Sequence, residues 1–375
     1  MTDRPFASLE EKLAFQIARQ GPLSLAAYMH ACLADPQFGY YSKRQGIGES
    51  ADFITAPEIS QMFGELIGGW CVAAWQQLGR PDPFCLAEFG PGRGTLMADL
   101  LRAAKKAEGF TKAAHLVLVE TSPLMREHQK AALQKWKNAL GGFEWADHIS
   151  ALPGMPLVAV ANEFLDALPF RQYIKAENGW REAGIAANDA GKLIRVTLPC
   201  LADPAILPDG ADDQPPGAVF EHAPAREAVV EEVATRLMDH EGAALFIDYG
   251  HTASGFGDTF QAVRHHGYTG PLAEPGAHDV TSHVDFARLV AAANRTGLPP
   301  AALASQSDFL IELGLLERAG ALGHGKSAAV QETLRRQVER LAGADQMGGL
   351  FKVLRITNPV LALPGHGKAL SAPSA

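Results

Sequence analysis

The spacing of apolar residues divides the chain into a helical beginning and a longer part in which strands and helices alternate. Apolar positions recur at helical spacing over 7–35 and 57–79, which predicts helices there. From about residue 82 to 170, short apolar runs alternate with helical patterns, which is typical of a parallel sheet with helices on both faces. The predicted strands of this part cover 84–87, 115–119, 143–147 and 157–161.

The alternation stops after residue 170 and resumes about fifty residues later. Short patterns at 172–174, 180–182 and 193–196 predict antiparallel strands. A stretch rich in Pro, Asp and Gly follows over 203–217 and indicates loops. The remaining predicted elements are a helix over 225–240, a fifth strand over 243–247, mainly helices over 283–343 and a closing strand over 351–356.

Together these patterns predict an α/β fold with a mostly parallel, Rossmann-like sheet and additional parts around it. A loop over 38–48, rich in glycine, aromatic and charged residues, is a candidate lid. The predicted parts are a helical N-terminal lid region over 1–80, a core over 81–170, 221–262 and 345–360, a β-rich insertion over 171–220, a mainly helical subdomain over 263–344 and a flexible tail over 361–375.

Composition changes this picture little and excludes several classes of function. The 375 residues are 47% hydrophobic and 20% charged, which is ordinary for a globular protein. A net charge of −9 argues against nucleic acid as the main partner, because phosphate neutralisation needs a basic surface. No apolar run approaches the roughly 18 residues of a membrane span. Apolar stretches at 57–75 and 309–317 either pack internally or form a homodimer face.

The cysteine and histidine positions predict no metal site. The four cysteines are widely separated, with no C-x-x-C spacing, and are expected to be reduced. Neither the His265-His266 pair nor His278 has the order of a metal-binding motif. Because the N-terminus shows no secretory or transit pattern, a cytoplasmic, bacterial protein is expected.

A glycine-rich turn after the first predicted strand is the strongest sign of a ligand. The apolar run 84–87 leads to Glu88, and Gly90, Gly92 and Gly94 follow at alternate positions before a helical pattern. Such a turn lets a nucleotide-like cofactor approach bare backbone at a helix N-terminus. The G-x-G-x-G spacing differs from the G-x-G-x-x-G of dinucleotide enzymes and resembles the first motif of class I S-adenosylmethionine methyltransferases. The alternative is an ordinary glycine-rich turn.

Acidic residues end the next two predicted strands. Glu120 follows the strand 115–119, where a carboxylate accepts hydrogen bonds from both ribose hydroxyls. Alternatively, Glu120 is a carboxylate at the N-terminus of the helix that begins at Thr121–Pro123. Asp147 follows the third strand and is a candidate acceptor for an adenine amino group.

Further polar residues follow the fourth and fifth strands, where ligands bind in doubly wound sheets. Asn162, Glu163 and Asp166 come after the fourth strand, and Asp248 and His251 after the fifth. A guanidinium acceptor is always charged, and carboxylates that bind it can concentrate its positive charge away from the attacking nitrogen. Glu163 and Asp166 are therefore candidate catalytic residues. The alternatives are a solvated or ion-paired Glu163, an Asp166 that caps a turn, and a His251 that belongs to a turn.

The chain resembles the MidA-like family, formerly a domain of unknown function, over about residues 8–357. The resemblance is carried by 52–65, 88–96, 162–169 and 248–251, with weaker matches at 279–286 and 347–351. It implies the class I methyltransferase fold and a protein arginine methyltransferase that uses S-adenosylmethionine and acts on a subunit of respiratory complex I.

The resemblance also assigns residues to roles. It implies that the three glycines of the loop and Glu120 hold the cofactor, and that Glu163 and Asp166 face the acceptor. Glu88, Asp147 and Asn162 are further candidate cofactor-binding residues because of their positions at strand ends. Asp52 and Glu58 are expected to contribute to substrate binding from the lid, together with His251. Two other hypotheses stay open: a catalytically silent assembly factor for complex I that binds the cofactor, and an NAD(P)-dependent oxidoreductase.

Overall fold

The structure is a computed structural model, and it describes residues 6–42, 55–264 and 267–365. Its α-helices are α1 Leu9–Gln20, α2 Leu25–Ala34, α3 Ala56–Ile59, α4 Gln61–Gln77, α5 Thr95–Ala104, α6 Phe110–Ala113, α7 Pro123–Leu133, α8 Pro224–His240, α9 Phe286–Arg295, α10 Gln306–Glu312, α11 Leu315–Gly323, α12 Ala328–Ala342 and α13 Met347–Leu350. Short 3-10 turns cover Tyr40–Ser42, Gln134–Trp136, Ile149–Ala151 and Pro204–Ile206.

Strands make up most of the remaining regular structure. They are β1 Leu23–Ser24, β2 Phe84–Phe89, β3 Ala114–Val119, β4 Gly142–Ala146, β5 Leu157–Asn162, β6 Arg171–Ala176, β7 Gly179–Ala187, β8 Leu193–Leu201, β9 Val219–His222, β10 Gly242–His251, β11 Gln261–Arg264, β12 Gly267–Thr269, β13 Asp279–Thr281, β14 Val284–Asp285, β15 Ala302–Ser305 and β16 Phe351–Asn358.

The chain forms two compact units. One takes its described residues from Met1–Phe53, Asp166–Arg226 and Ser254–His283, and the other from Ile54–Leu165, Glu227–Ala253 and Val284–Ala375. We call the first the acceptor unit, because it contains Asp166, and the second the cofactor unit, because it contains the glycine loop. The finer division into five parts that the sequence indicates stays a prediction.

The cofactor unit contains the predicted parallel sheet. Its strand order is β15-β16-β10-β5-β2-β3-β4, in which β10, β5, β2, β3 and β4 are parallel neighbours. β16 lies antiparallel between β10 and β15. All six residues of β2 are buried, as expected of a strand covered on both faces. Both the five parallel strands and the closing strand predicted from the sequence are confirmed.

The helix after the glycine turn packs closely on α4. A Cβ atom on Gly64 would lie 2.6 Å from Asp99 Cβ, and one on Gly68 would lie 2.6 Å from the Leu100 carbonyl oxygen. Glu65 forms ion pairs with Arg102 of α5 and with Arg318 of α11, the latter at 2.7 Å. The glycines and Glu65 therefore position α5, so packing explains part of the distinctive 52–65 segment.

Two of the predicted helices are interrupted. The helical spacing over 7–35 is broken at Gly21, whose φ is +88°, and α2 restarts after Ser24, which accepts a hydrogen bond from Ala27 N. The spacing over 57–79 is broken at Ser60, which is extended and caps α4. Apolar periodicity continues through each break because the helices on its two sides pack in the same core. For α1 and α2 this is the core of the acceptor unit, and for α3 and α4 it is the core of the cofactor unit.

The acceptor unit is built mainly from antiparallel strands, as the 172–196 pattern predicts. β1, β7, β6 and β9 form one sheet, to which β8 adds beside β7, and β12, β11 and β13 form another. Phe170, Tyr28 and Phe260 contribute to its core, with ring centroids 5.5 to 6.4 Å apart.

Two short strands of the main sheet were not predicted, namely β14, which pairs with β10, and β15. β15 is short and reads Ala-Leu-Ala-Ser, so it has neither β-branched nor aromatic residues to distinguish it from the helices around it. Among the described residues, no helix is long and apolar enough to cross a membrane, and no group of His, Cys, Asp or Glu is placed to hold a metal ion.

Candidate active site

The glycine loop after β2 leaves backbone open to a ligand. Gly90, Gly92 and Gly94 have φ of +63°, +50° and +80°, a region that glycine adopts without strain. Within the described part of the chain, a Cβ on Gly92 would meet nothing within 4 Å, whereas one on Gly90 would lie 2.8 Å from the Phe164 ring. Gly94 is the N-cap of α5. The loop therefore places the positive end of α5 beside open space.

Glu88 lies buried near the end of β2, with 3% of its surface exposed. Burial raises the pKa of its carboxyl group to about 8. Its Oε2 atom has no hydrogen-bond partner among the described residues. A buried carboxyl oxygen in this condition calls for a hydrogen-bond partner, which a ligand beside the glycine loop would supply.

Glu120 follows β3 and is held by the start of α7. Ser122 N donates to Glu120 Oε1 at 2.7 Å, and Gln129 Nε2 donates to Oε2 at 3.2 Å. Burial raises the pKa of Glu120 although these donors oppose the shift. The structure thus shows the helix-terminal contact of the alternative interpretation. A carboxylate has about four acceptor positions, so these contacts leave capacity for ribose hydroxyls.

Asp147 follows β4 and is mostly exposed. Its side chain is 68% exposed, and Arg126 Nη2 donates to its Oδ1 at 2.7 Å. The same arginine donates through Nε to the Glu120 carbonyl oxygen at 2.8 Å. Arg126, which no sequence pattern singles out, therefore connects the ends of β3 and β4.

The turn after β5 holds the candidate catalytic carboxylate of this unit. Glu163 has φ of +51°, which is uncommon for a residue with a side chain. Its N–H donates to the Ile247 carbonyl oxygen at 2.9 Å. Its Oε1 accepts from Asn162 Nδ2 at 3.0 Å and from Ala56 N at 3.2 Å. Asn162 Oδ1 is buried and has no hydrogen-bond partner among the described residues.

Asp248 ends the apolar part of β10 and stabilises the segment after Glu163. It is 1% exposed, and its Oδ2 accepts from Leu165 N at 2.9 Å while its Oδ1 accepts from Tyr249 N at 3.0 Å. The sequence places Asp248 at a strand end but predicts no role for it. Its contacts indicate a structural one.

Asp166, the second candidate catalytic carboxylate, belongs to the acceptor unit. Its side chain is buried, and its carbonyl oxygen accepts from Arg226 Nη2 at 3.1 Å. Arg226 also donates to Ser282 Oγ at 2.6 Å and to the His283 carbonyl oxygen at 2.7 Å. The buried guanidinium thus holds the backbone that carries Asp166.

The three residues predicted to bind the substrate lie in different parts of the chain, and one of them is outside the described residues. Asp52 lies outside the described residues. Glu58 is in α3, where burial raises the pKa of its carboxyl group against the opposing charge of Arg93. His251 ends β10, with its Nε2 atom 3.7 Å from Asp285 Oδ2. The histidine pair at 265–266 also lies outside the described residues.

The sheet topology brings most of the predicted cofactor residues to one edge. Chain order reverses between β2 and β5, and ligands of open α/β sheets bind at the carboxyl ends of strands at such a point. The glycine loop, Glu120 and the Asn162–Glu163 turn follow β2, β3 and β5, which are adjacent. This edge combines open backbone, buried acceptors and a carboxylate, which suits a cationic, hydroxyl-bearing ligand.

Comparison with known proteins agrees with a cationic, hydroxyl-bearing ligand at this edge. Residues 66–302 match the model of a family described as "Putative S-adenosyl-L-methionine-dependent methyltransferase". The chain is 32% identical to the protein arginine methyltransferase NDUFAF7, mitochondrial, of Danio rerio, an alignment that covers 94% of this chain and 87% of that one. The human protein of the same name is also 32% identical, with 93% and 83% covered.

A similar crystal structure comes from Burkholderia thailandensis and contains bound S-adenosyl-homocysteine. It superimposes with a TM-score of 0.80 at 28% identity, covering 97% of this chain and 94% of that one. A second crystal structure from the same organism gives a TM-score of 0.78.

One expectation from the sequence is contradicted by the NDUFAF7 relatives. Their names describe mitochondrial proteins, so the prediction of a cytoplasmic, bacterial protein is wrong. That prediction relied on the lack of a targeting pattern. Such a pattern acts separately from the folded domain, so the residues that form the sheet and the site carry no information on compartment.

Proposed function

The chain belongs to the family of S-adenosyl-L-methionine-dependent methyltransferases, and from this premise we propose that it methylates arginine side chains of a protein. The family, the class I methyltransferase fold, the enzyme class and the cofactor expected from the sequence are all confirmed. The acceptor and the roles of individual residues are proposals.

The residues at the sheet edge fit the cofactor. Glu88 Oε2 and Asn162 Oδ1 are buried acceptors in need of donors, and ribose hydroxyls and an ammonium group are donors. The open space at Gly92 admits a ligand against bare backbone. We assign Glu120 to the ribose and Asp147 to the adenine amino group. When bound, S-adenosylmethionine supplies an electrophilic methyl group on a sulfonium.

The observation that carries the acceptor assignment is the left-handed conformation of Glu163 at the end of β5. A residue with a side chain is strained there, by about 1 to 3 kcal/mol, and strain of this kind is frequent at active sites. Unlike Glu241, which is also left-handed but precedes a strand, Glu163 lies at the carboxyl edge of the sheet, next to the glycine loop. The contacts of Glu163 Oε1 with Asn162 Nδ2 and Ala56 N orient its carboxylate.

The carboxylate of Glu163 binds the guanidinium in this proposal. A guanidinium stays charged at neutral pH, and two N–H bonds to one carboxylate localise its positive charge on those nitrogens. The remaining nitrogen then has a more available lone pair to take the methyl group from the sulfonium. The S–CH3 bond breaks, S-adenosyl-homocysteine leaves, and the methylated nitrogen releases a proton to solvent, so the product guanidinium keeps one positive charge. Asp166, three residues later in the sequence, is the proposed second carboxylate on the strength of that spacing. Glu58 and His251 are proposed to contact the substrate, as is Asp52.

The acceptor protein is proposed at two levels. The relatives are named protein arginine methyltransferases, which supports a protein acceptor with an exposed arginine. The family resemblance recognised from the sequence adds a finer proposal, in which the acceptor is a complex I subunit and its methylation supports assembly. Self-association as a homodimer also stays a proposal.

Transfer of labelled methyl groups tests this function. Cell extract that lacks the enzyme is incubated with methyl-labelled S-adenosylmethionine and either the wild-type protein or Glu163→Gln. We expect labelled methylarginine in the hydrolysed protein fraction with the wild type only. Label on another amino acid would refute the arginine assignment. Complex I assembly supported equally by Glu163→Gln would favour the catalytically silent assembly factor.

A further inference from the structure

Gln129 is a fully buried polar residue on the apolar face of α7. Its exposed fraction is 0%, and Met125 and Leu133, one turn before and one turn after it, are the buried apolar residues of that face. A buried amide is destabilising unless its donors and acceptor are paired. The orientation of the Gln129 amide is therefore set by its hydrogen-bond partners.

The partners of Gln129 come from three separate segments. Its Nε2 donates to the Gly92 carbonyl oxygen at 2.7 Å and to Glu120 Oε2 at 3.2 Å. Its Oε1 accepts from Trp145 Nε1 at 2.8 Å. Reversing the amide would turn its oxygen toward two acceptors and its NH2 toward a donor, so the network permits one orientation.

The backbone of α7 also lies directly against the glycine loop at this residue. A Cβ atom on Gly94 would be 3.3 Å from Gln129 Cα and 3.5 Å from its Cγ. One side chain thus joins the loop after β2, the acidic residue after β3 and the strand β4. These segments contain or adjoin the predicted cofactor residues other than Glu88 and Asn162.

We propose that Gln129 is a positioning residue for the nucleoside part of the cofactor. Its amide nitrogen bonds both the Gly92 carbonyl oxygen and the Glu120 carboxylate, and so fixes the position of the carboxylate relative to the glycine loop. The inference rests on the proposed role of Glu120 toward ribose. Ser122 N donates to one oxygen of that carboxylate and Gln129 Nε2 to the other, and the Thr121 N–H also donates to the carboxylate. Without Gln129 the carboxylate loses its side-chain donor at Oε2, so it can turn its free acceptor positions away from the ribose.

Binding of two ligands to three proteins tests the proposal. S-adenosyl-homocysteine and its 2′,3′-dideoxyribose analogue are titrated by calorimetry into the wild type, Gln129→Met and Lys130→Met. Methionine keeps the length of Gln129 without its hydrogen bonds. Lys130 is the control on the same helix, since its side chain is exposed and its ammonium lies 3.8 Å from Glu127 Oε1. Trp145→Phe, which leaves the Gln129 amide without its orienting donor, is the second variant.

The ratio of the two affinities separates positioning from a general structural effect. We expect the wild type and Lys130→Met to prefer the hydroxylated ligand by on the order of 100-fold, since hydrogen bonds to a carboxylate are strong. In Gln129→Met the affinity for S-adenosyl-homocysteine should fall by on the order of 10-fold or more while the dideoxy analogue binds almost as before. Trp145→Phe should give an intermediate ratio and remains informative if Gln129→Met does not fold.

Three results would overturn the proposal. Equal weakening of both ligands in the variants would show a structural role for Gln129 only. A wild-type ratio near one would show that Glu120 does not bind the ribose. Failure of the folded wild type to bind S-adenosyl-homocysteine at all would overturn the proposed function as well. The first two results would leave that function in place.

Discussion

Two turns follow neighbouring strands of the parallel sheet, and both use the left-handed region of backbone conformation. After β2 the residues are glycines, of which Gly92 has φ of +50° and open space where a side chain would be. After β5 the residue is Glu163, with φ of +51°. The two backbones adopt the same conformation, but only the second retains a side chain there.

The difference separates two ways of making a ligand site. In the first turn the absence of Cβ is what matters, because a ligand approaches the backbone. In the second turn glycine would relieve the strain, yet a carboxylate is present and is oriented by Ala56 and Asn162. The first turn should therefore govern cofactor binding, and the second should govern turnover.

The largest expected effect is on turnover in Glu163→Gln. The amide keeps a carbonyl oxygen for Ala56 N but cannot localise the guanidinium charge, so we expect kcat to fall about 1,000-fold, within the range of catalytic acid–base groups. The affinity for S-adenosylmethionine, measured by calorimetry, should stay within about twofold, since the residue has no proposed contact with the nucleoside.

Glu241→Gln is the matched control for this prediction. Glu241 is also left-handed, with φ of +61°, but its side chain is exposed at the end of α8. It should leave turnover unchanged. Retained turnover in Glu163→Gln would remove Glu163 from the mechanism and with it the distinction between the two turns.

The next effect is on cofactor affinity in Gly92→Ala. The added Cβ would enter the space beside the loop, and overpacking of this kind weakens binding by on the order of 100-fold. Gly191→Ala is the control, because Gly191 has φ of +76° and equally open surroundings in a turn remote in sequence from the loop. Unchanged affinity in Gly92→Ala would show that the ligand does not approach this backbone.

A smaller effect concerns the buried acidic residue of β2 and the pH dependence of stability. Glu88 of β2 is buried with one oxygen unpartnered among the described residues, and its pKa is raised to about 8. Between about pH 4.5 and pH 8 the folded protein holds a proton that the unfolded chain releases, so this group's contribution to stability is lost as pH rises through that window.

Replacing Glu88 by Gln should remove this loss. The free energy of unfolding of Glu88→Gln, relative to the wild type, should therefore increase by on the order of 1 kcal/mol per pH unit up to about pH 8. Urea unfolding at several pH values between 5 and 9 measures the difference. A constant difference over that range would contradict the raised pKa.

The smallest effect isolates the strain at Glu163. Both Glu163→Ala and Glu163→Gly remove the carboxylate, but only glycine tolerates φ of +51°. We expect the glycine variant to be more stable than the alanine variant by about 1 kcal/mol in urea unfolding. The same pair of substitutions at Glu241 should give a similar difference. Equal stability of the two Glu163 variants would show that the turn relaxes without strain.

Much of the cofactor unit could be predicted from local patterns. The strands β2, β3 and β5 are short buried apolar runs, and Gly90, Gly92 and Gly94 follow the first of them directly. A parallel sheet covered by helices forces such runs to be apolar throughout, which makes them visible in the sequence. The interruption at Ser60 and the strand β15 were not predicted, because apolar periodicity crosses the first and no β-branched residue distinguishes the second.

The sequence alone determined the family, the fold class, the cofactor and the candidate residues at strand ends, since each depends on residues close together in the chain. Only the tertiary structure showed that Gln129 joins Gly92 to Glu120, that Asp248 holds Leu165, and that Arg226 supports the backbone of Asp166. These contacts bridge 9 to 83 positions in the chain. Spacing in a sequence reports the period of a helix or strand, whereas the partner of a buried polar group is decided when distant segments pack together.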